Sequence, residues 1–361
     1  MLLIAAFGTL LIVVATGLPL SRRTHWIFRG MDFPRLQIAV VAGTLLLFQL
    51  MVLDWKTGVS WLLFAATFAC LLWQLWWVAP YSIFWPKEVK ASTTNDRNGQ
   101  LRVMTSNVLK TNRNSDALIR LVKEHQPDVL ITLESDKWWQ DQLQVLEADL
   151  PNVIQCPLDN LYGMHVYSRL PFSEEEICYL VEDDIPSIHL SLELPLGVRV
   201  RMHFVHPAPP SPTENTQSKQ RDAELITVAR NVAESGEPLV VAGDLNDVAW
   251  SSTTRLFRKI SGLLDPRIGR GVFNTFHVNY PFLRWPLDHL FHSAHFTVTQ
   301  LERLPSIGSD HFPLFVVLAY EGESSSDQEG LAANSADRDE AALISDAMDV
   351  SKADVPSPGN G

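Results

Sequence analysis

Three long stretches of this chain, residues 1–20, 36–53 and 59–80, contain no charged side chain at all. As helices rising 1.5 Å per residue, each is about 30 Å long, the thickness of a hydrocarbon layer. Trp55, Trp61, Trp73, Trp76, Trp77, Tyr81 and Trp85 gather near the ends of the second and third stretches, where aromatic belts mark a membrane surface. The pattern predicts a membrane region over 1–86 with three transmembrane helices at about 1–20, 36–53 and 59–80. A secretory signal is the alternative for the first stretch, but the basic segment that would precede its apolar run is missing. Arg22, Arg23, Arg29 and Arg35 oppose only Asp32 in the first connection, whereas Asp54 and Lys56 balance in the second. By the positive-inside rule the Arg-rich connection faces the cytoplasm, and three crossings leave the following domain on that same side. The expected location is therefore a multi-pass inner (plasma) membrane protein with a cytoplasmic domain.

The formal net charge of -12 is unevenly distributed. The first 100 residues are net basic, the middle is net acidic, and beyond Tyr320 ten acidic residues face two basic ones. No broad basic face is available for long duplex nucleic acid, although a local positive site is compatible with this balance. Residues 321–361 are too polar to offset the entropy of ordering and are expected to be a disordered acidic tail. Residues 87–100, rich in Ser, Thr, Asn and Asp, read as a linker. Cys70, Cys156 and Cys178 lack the spacing of a zinc site or a disulfide framework.

Over 101–320, apolar runs alternate with helical periodicity, the signature of an α/β domain. Residues 101–107 alternate toward Asn107, 116–124 repeat apolar positions at helical spacing, and 128–134 form an apolar run closing on Glu134. Further strands are expected at 164–168, 188–194, 198–205, 286–291 and 314–318, with helices starting at Trp138 and spanning 217–233 and 255–260. Leu239-Val240-Val241-Ala242 runs into Gly243-Asp244-Leu245-Asn246, which reads either as a buried strand delivering an acid and an amide at its end or simply as a turn. Acids, amides and imidazoles recur at the other strand ends: Asn107, Glu134, His206, Asp288, Asp310 and His311. Carboxylate and amide oxygens suit Mg²⁺, with Mn²⁺ a substitute, whereas zinc favours more imidazole or thiolate. Asp288 could hold one nitrogen of His311 and so fix its tautomer.

In order and approximate spacing, Val103-Met104-Thr105-Ser106-Asn107, Leu133-Glu134, His206-Pro207, Gly243-Asp244-Leu245-Asn246, Leu287-Asp288-His289 and Ser309-Asp310-His311 resemble the motifs of the endonuclease/exonuclease/phosphatase (deoxyribonuclease I-like) superfamily. Apolar helices followed by such a domain resemble its bacterial membrane-anchored members. The resemblance implies a four-layer α/β sandwich over 101–320, two face-to-face mixed β-sheets flanked by helices. It implies a Mg²⁺-dependent hydrolase that cleaves a phosphodiester or phosphomonoester by in-line water attack. Glu134 would bind the metal with Asn107 and Asp310; Asp244 would orient or deprotonate water; Asn246 would hold a phosphate oxygen. His311 would stabilise the transition state, Asp288 would orient His311, and His206 would serve as an acid or a phosphate ligand. Arg169 at a strand end is a further phosphate contact, or else a solvated charge. The expected partners are the bilayer and a phosphate ester, nucleic acid or phospholipid or inositol phosphate, with no protein partner evident. A catalytically inactive, membrane-tethered binding protein is the alternative of another class. Arg255, Arg258, Lys259, Arg267 and Arg270 could grip an anionic substrate or the membrane surface, or line a solvated face, while His189, His203, His292 and His295 read as structural.

Overall fold

Each uncharged stretch folds into one long helix, which satisfies every interior backbone group without water. In this computed structural model, which describes all residues except Arg22, Asn95, Glu234, 323–326 and 357–361, they are α1 (Leu2–Gly17), with the short α2 (Trp26–Arg29) following it, α3 (Arg35–Val52) and α4 (Gly58–Val78). All three long helices are of a length and apolarity that can cross a membrane. Their packing inverts that of a water-soluble bundle. Leu3, Leu47, Met51 and Leu62 point outward and are exposed, while polar groups fill the interior. Gln49 Nε2 donates to the hydroxyls of Thr9 and Thr67 at 2.9 and 3.1 Å. Nearer the domain, Gln74 donates to Thr16 at 3.0 Å and accepts from Arg35 at 3.2 Å, and Arg35 pairs with buried Asp32. Interhelical hydrogen bonds of this kind are the packing expected where the outer faces of helices meet an apolar solvent rather than water.

The rest of the chain runs β1 (Gln100–Asn107), α5 (Ser115–His125), β2 (Val129–Leu133), α6 (Lys137–Leu143), β3 (Asn152–Cys156), β4 (Met164–Ser168), β5 (Phe172–Cys178), β6 (Ser187–Glu193), β7 (Arg199–Phe204), α7 (Lys219–Val232), β8 (Leu239–Asp244), α8 (Ser252–Ser261), β9 (Asp288–His292), β10 (Phe296–Arg303), β11 (Leu314–Tyr320) and α9 (Ser335–Asp346). One sheet has the order β10-β11-β1-β2-β4-β3 and the other β5-β6-β7-β8-β9. Strand alternation decides the layers. Val103, Ile131, Met202, Val240, Ala242 and Leu290 meet between the sheets. The opposite faces carry Met104 and Leu130 against α5, and Val241 and Phe291 against α7 and α8. The result is the expected four-layer sandwich.

The two polar segments depart from expectation. Residues 87–100 do not hang free: Val89 is fully buried, Glu88 pairs with Arg258, and Ala91 bridges Val298 on β10. One apolar residue and one matched charge suffice to seat the segment on the sheet. In the acidic tail, Asn334 caps α9 through a capping box with Asp337, Asp337 pairs with Lys259, and Ala341 and Val355 are buried against α7 and α8. Its acids meet cations of the domain, so composition alone misjudged the described part of the tail. Residues 323–326 and 357–361 of that tail, and Arg22 of the Arg-rich connection, lie outside the described residues.

Candidate active site

Register brings the polar strand ends to a single edge. β1 and β2 run parallel and end on Asn107 and Leu133, while β11 runs antiparallel to β1, placing the loop with Asp310 and His311 beside Asn107. In the second sheet Asp244 pairs directly with Asp288 across antiparallel β8 and β9. His206 follows β7, which is parallel to β8. Asn107, Asp244 and Asp288 continue the alternation of Val103, Ala242 and Leu290, and so point between the sheets.

Glu134 obeys a different rule. Alternation would send it to the helix-covered face with Leu130, but a left-handed backbone, φ 57°, ends β2 there and redirects the side chain. Gly243 is equally constrained: a Cβ at this position would stand 1.9 Å from Val205 O, so only glycine lets β8 pass the segment that carries His206.

Asn107 links the sheets. Its Nδ2 donates to Glu134 Oε1 at 2.7 Å and to Asp244 Oδ2 at 3.2 Å, while its Oδ1 accepts from Leu109 N–H. His311 lies between two carboxylates, with Nδ1 2.7 Å from Asp288 Oδ2 and Nε2 3.5 Å from Asp244 Oδ2. Burial disfavours its charge, but Asp288 and then Asp244 outweigh this and push the imidazole up to about 10. It is an imidazolium at neutral pH. Burial alone would raise the Asp244 carboxyl, yet His311, His206 and the Asn246 N–H hold it below its ordinary value. Desolvation pushes Glu134 up to about 7 against the opposing bond from Asn107. His206, wholly enclosed, is lowered by burial to about 4 and is neutral, with Nε2 4.0 Å from Asp244. Asn246, at φ 49°, donates through its N–H to Asp244 Oδ1 and through Nδ2 to Pro207 O.

These groups open into a cleft of about 300 Å³ that Glu134, His206, Asp244, Asn246, Asp310 and His311 line from below. Sequence reasoning missed its upper walls: Phe33 from the first connection, Tyr162 on the ring of His206, and Phe276 on the ring of His311. Tyr162 also donates to Glu214, closing two loops over the cleft. No local signal marks these residues, because each arrives from a distant loop. Among the described residues, a larger hollow of about 620 Å³ between α7, α8 and the tail is lined by no acid–imidazole set.

Arg169 is the correction. β4 runs antiparallel to β2, so its first residue, Met164, lies opposite Leu133 while Ser168 lies opposite Val129. Arg169 therefore sits at the opposite edge, about 17 Å of strand from Glu134, beside Asp128. Nor does the basic set after β8 reach the cleft. Arg258 pairs with Glu88, Lys259 with Asp337 and Arg267 with Asp265; Arg270 donates to Val89 O, and Arg255 lies over Trp77. His189 and His203 are buried against each other on the outer face of their sheet, as structural residues.

The donor set fits an oxygen-preferring divalent cation. Glu134 Oε2 and Asp288 Oδ1 are buried and meet no donor among the described residues. Asp244, Asp288 and His311 also present ligand atoms within 4.8 Å of one another, a buried group that could bind a metal once His311 gives up its proton.

A sequence model described as the Endonuclease/Exonuclease/phosphatase family matches residues 104–311, more than half of the chain. No curated protein matches the chain closely enough to count as a relative. Among solved structures, an endonuclease/exonuclease/phosphatase from Beutenbergia cavernae is 18% identical, with a TM-score of 0.51 over 65% of this chain and 78% of that one. The human Nocturnin catalytic domain with bound sulfate is 18% identical, with a TM-score of 0.50 over 62% of this chain and 95% of that one. At this identity the likeness is one of fold.

Proposed function

From the premise that the chain belongs to the endonuclease/exonuclease/phosphatase family, we propose that it is a membrane-anchored, Mg²⁺-dependent phosphoesterase that cleaves a phosphate ester by in-line attack of water. The observation carrying this reading is the relay Glu134–Asn107–Asp244–His311–Asp288, buried except for the half-buried Glu134; its members come from both sheets and meet at one cleft. A set of acids with a captive imidazolium suits a reaction in which negative charge grows on phosphoryl oxygens.

Each residue has a role in that chemistry. The ionised Asp244 accepts a hydrogen bond from the attacking water and aims its oxygen at phosphorus. As the new P–O bond forms, Asp244 takes the water's proton; as the ester P–O bond breaks, the leaving oxygen takes a proton from solvent, and the positive His311, held in place by Asp288, faces the developing charge. Asn246 has a second amide hydrogen for a phosphate oxygen. His206, being neutral, acts as a phosphate ligand rather than a proton source. Glu134 and Asp310 would hold Mg²⁺ or Mn²⁺, with Asn107 supporting the metal site through its hydrogen bond to Glu134, and the ion would supply charge neutralisation and polarise the phosphate. Three crossings set the domain on the side of the Arg-rich connection, which we assign to the cytoplasm of the inner (plasma) membrane.

The test is turnover of bis-para-nitrophenyl phosphate with Mg²⁺ by the full chain in detergent. Asp244→Asn should lower it by about three orders of magnitude with the circular dichroism spectrum unchanged. Equal turnover would remove Asp244 from the mechanism.

A further inference from the structure

The cleft and the membrane helices share residues. Phe33, which lines the cleft, stands two positions before α3 begins at Arg35. Its ring packs edge-on against Trp285, 5.6 Å between centroids. Trp285 bridges Phe276, which lies on His311 at 4.9 Å. Phe276 and Trp285 form the base of a turn whose tip carries Tyr280, Phe282 and Leu283, exposed by 57%, 88% and 48%. Gln37, the third residue of α3, donates to Phe282 O at 2.8 Å, which fixes this apolar tip beside the first turn of a membrane helix. At the same end of the bundle, just past α4, Ile83 and Phe84 are likewise exposed. Clustered aromatic and aliphatic side chains at this level are a liability in water and favourable among headgroups.

Charge around the cleft points the same way. Among the described residues, no lysine or arginine lines it, and Arg169 and the basic set after β8 lie elsewhere. A nucleic-acid strand needs cations along its flanking phosphates. A lipid presents a single phosphate ester with apolar chains beside it.

We infer that the Tyr280–Leu283 tip enters the headgroup layer of the bilayer that holds α3, and that the cleft draws its substrate from that layer: a membrane lipid whose phosphate ester is hydrolysed in place. This rests on the phosphoesterase reading. Water supplies the oxygen of the new P–O bond and gives a proton to Asp244, the lipid ester P–O bond breaks, and the leaving oxygen takes a proton from solvent, to which Asp244 returns one. The chain segment 276–285 then couples bilayer contact to the wall of the catalytic imidazole.

The test uses the full chain reconstituted in vesicles of phosphatidylethanolamine and phosphatidylglycerol, doped in turn with sphingomyelin or phosphatidylinositol phosphate. The comparison substrates are bis-para-nitrophenyl phosphate and single-stranded DNA. Wild type should cleave a vesicle lipid, and Phe282→Asp should lower that turnover roughly tenfold, the partition gained by burying one aromatic side chain. Its turnover of the soluble ester should stay within about twofold of wild type. A nitroxide on Phe282→Cys, with Cys178→Ser to avoid double labelling, should collide more with oxygen than with a water-soluble nickel chelate. A nitroxide in water overturns tip insertion. Cleavage of the soluble ester and DNA but of no lipid overturns the lipid assignment and leaves the hydrolase standing. Failure on every substrate overturns the hydrolase as well, while the nitroxide still decides the tip.

Discussion

One amide nitrogen holds the two sheets' carboxylates in register: Asn107 Nδ2 reaches Glu134 on one side and Asp244 on the other. Without it, the half-buried Glu134 and the buried Asp244 would repel across the gap that a cation and a phosphate are proposed to fill. Glu224 shows what an acid does without such a partner. It is buried in α7 with Oε1 lacking any donor among the described residues, and desolvation, aided by Glu182, pushes it up from 4.5 to about 8. The folded protein thus binds this proton more tightly than the unfolded chain. Stability from this group is fully present below pH 4.5 and is lost as pH rises through about 8. Glu224→Gln should abolish that loss, so the variant's thermal midpoint should exceed that of wild type at pH 8 by more than at pH 4.5. An equal difference at both pH values would contradict the assignment.

Elements differ in how visibly the sequence encodes them. β1, β2, β4 and β8 are buried on both faces and read as apolar runs or clean alternation. The strands that went unseen, β3, β5 and β10, are all edge strands. β5, Phe-Ser-Glu-Glu-Glu-Ile-Cys, is mostly exposed and breaks register after Ser173, an edge kept from pairing further by its charges. Six motifs located the acids and imidazoles because strand ends are short-range features. Arg169 was misplaced because strand direction, which decides the edge a strand end occupies, is not written in a five-residue run. α9 was missed because its acids are balanced by Lys259 from a different element. Deleting 334–361 should uncover the apolar face of α7 and α8 that Ala341 and Val355 cover and lower the thermal midpoint by about 5 °C, with soluble-ester turnover retained. An unchanged midpoint would mean that the helix contributes nothing to the core.

At the scale of the whole molecule, the domain is bound to the helical bundle at many points. Trp250 Nε1 donates to Asp32 O, Tyr81 Oη to Ala249 O, Arg29 to Ser252 Oγ and Trp26 N–H to Thr216 O. Val78 and Tyr81 share an apolar cluster with Trp250 and Leu287, one residue from Asp288. The bundle therefore braces the loop after Asn246 and the start of β9, in addition to tethering them. All of this serves the proposal that eight side chains surround one divalent ion and one phosphorus atom. The Mg²⁺ dependence of soluble-ester turnover, measured for wild type and Glu134→Gln, tests it most directly. Wild type should saturate with Mg²⁺ and fall to background with chelator, while Glu134→Gln should need at least about tenfold more Mg²⁺ for half-maximal turnover. Superimposable Mg²⁺ curves for the two proteins would contradict the proposed site.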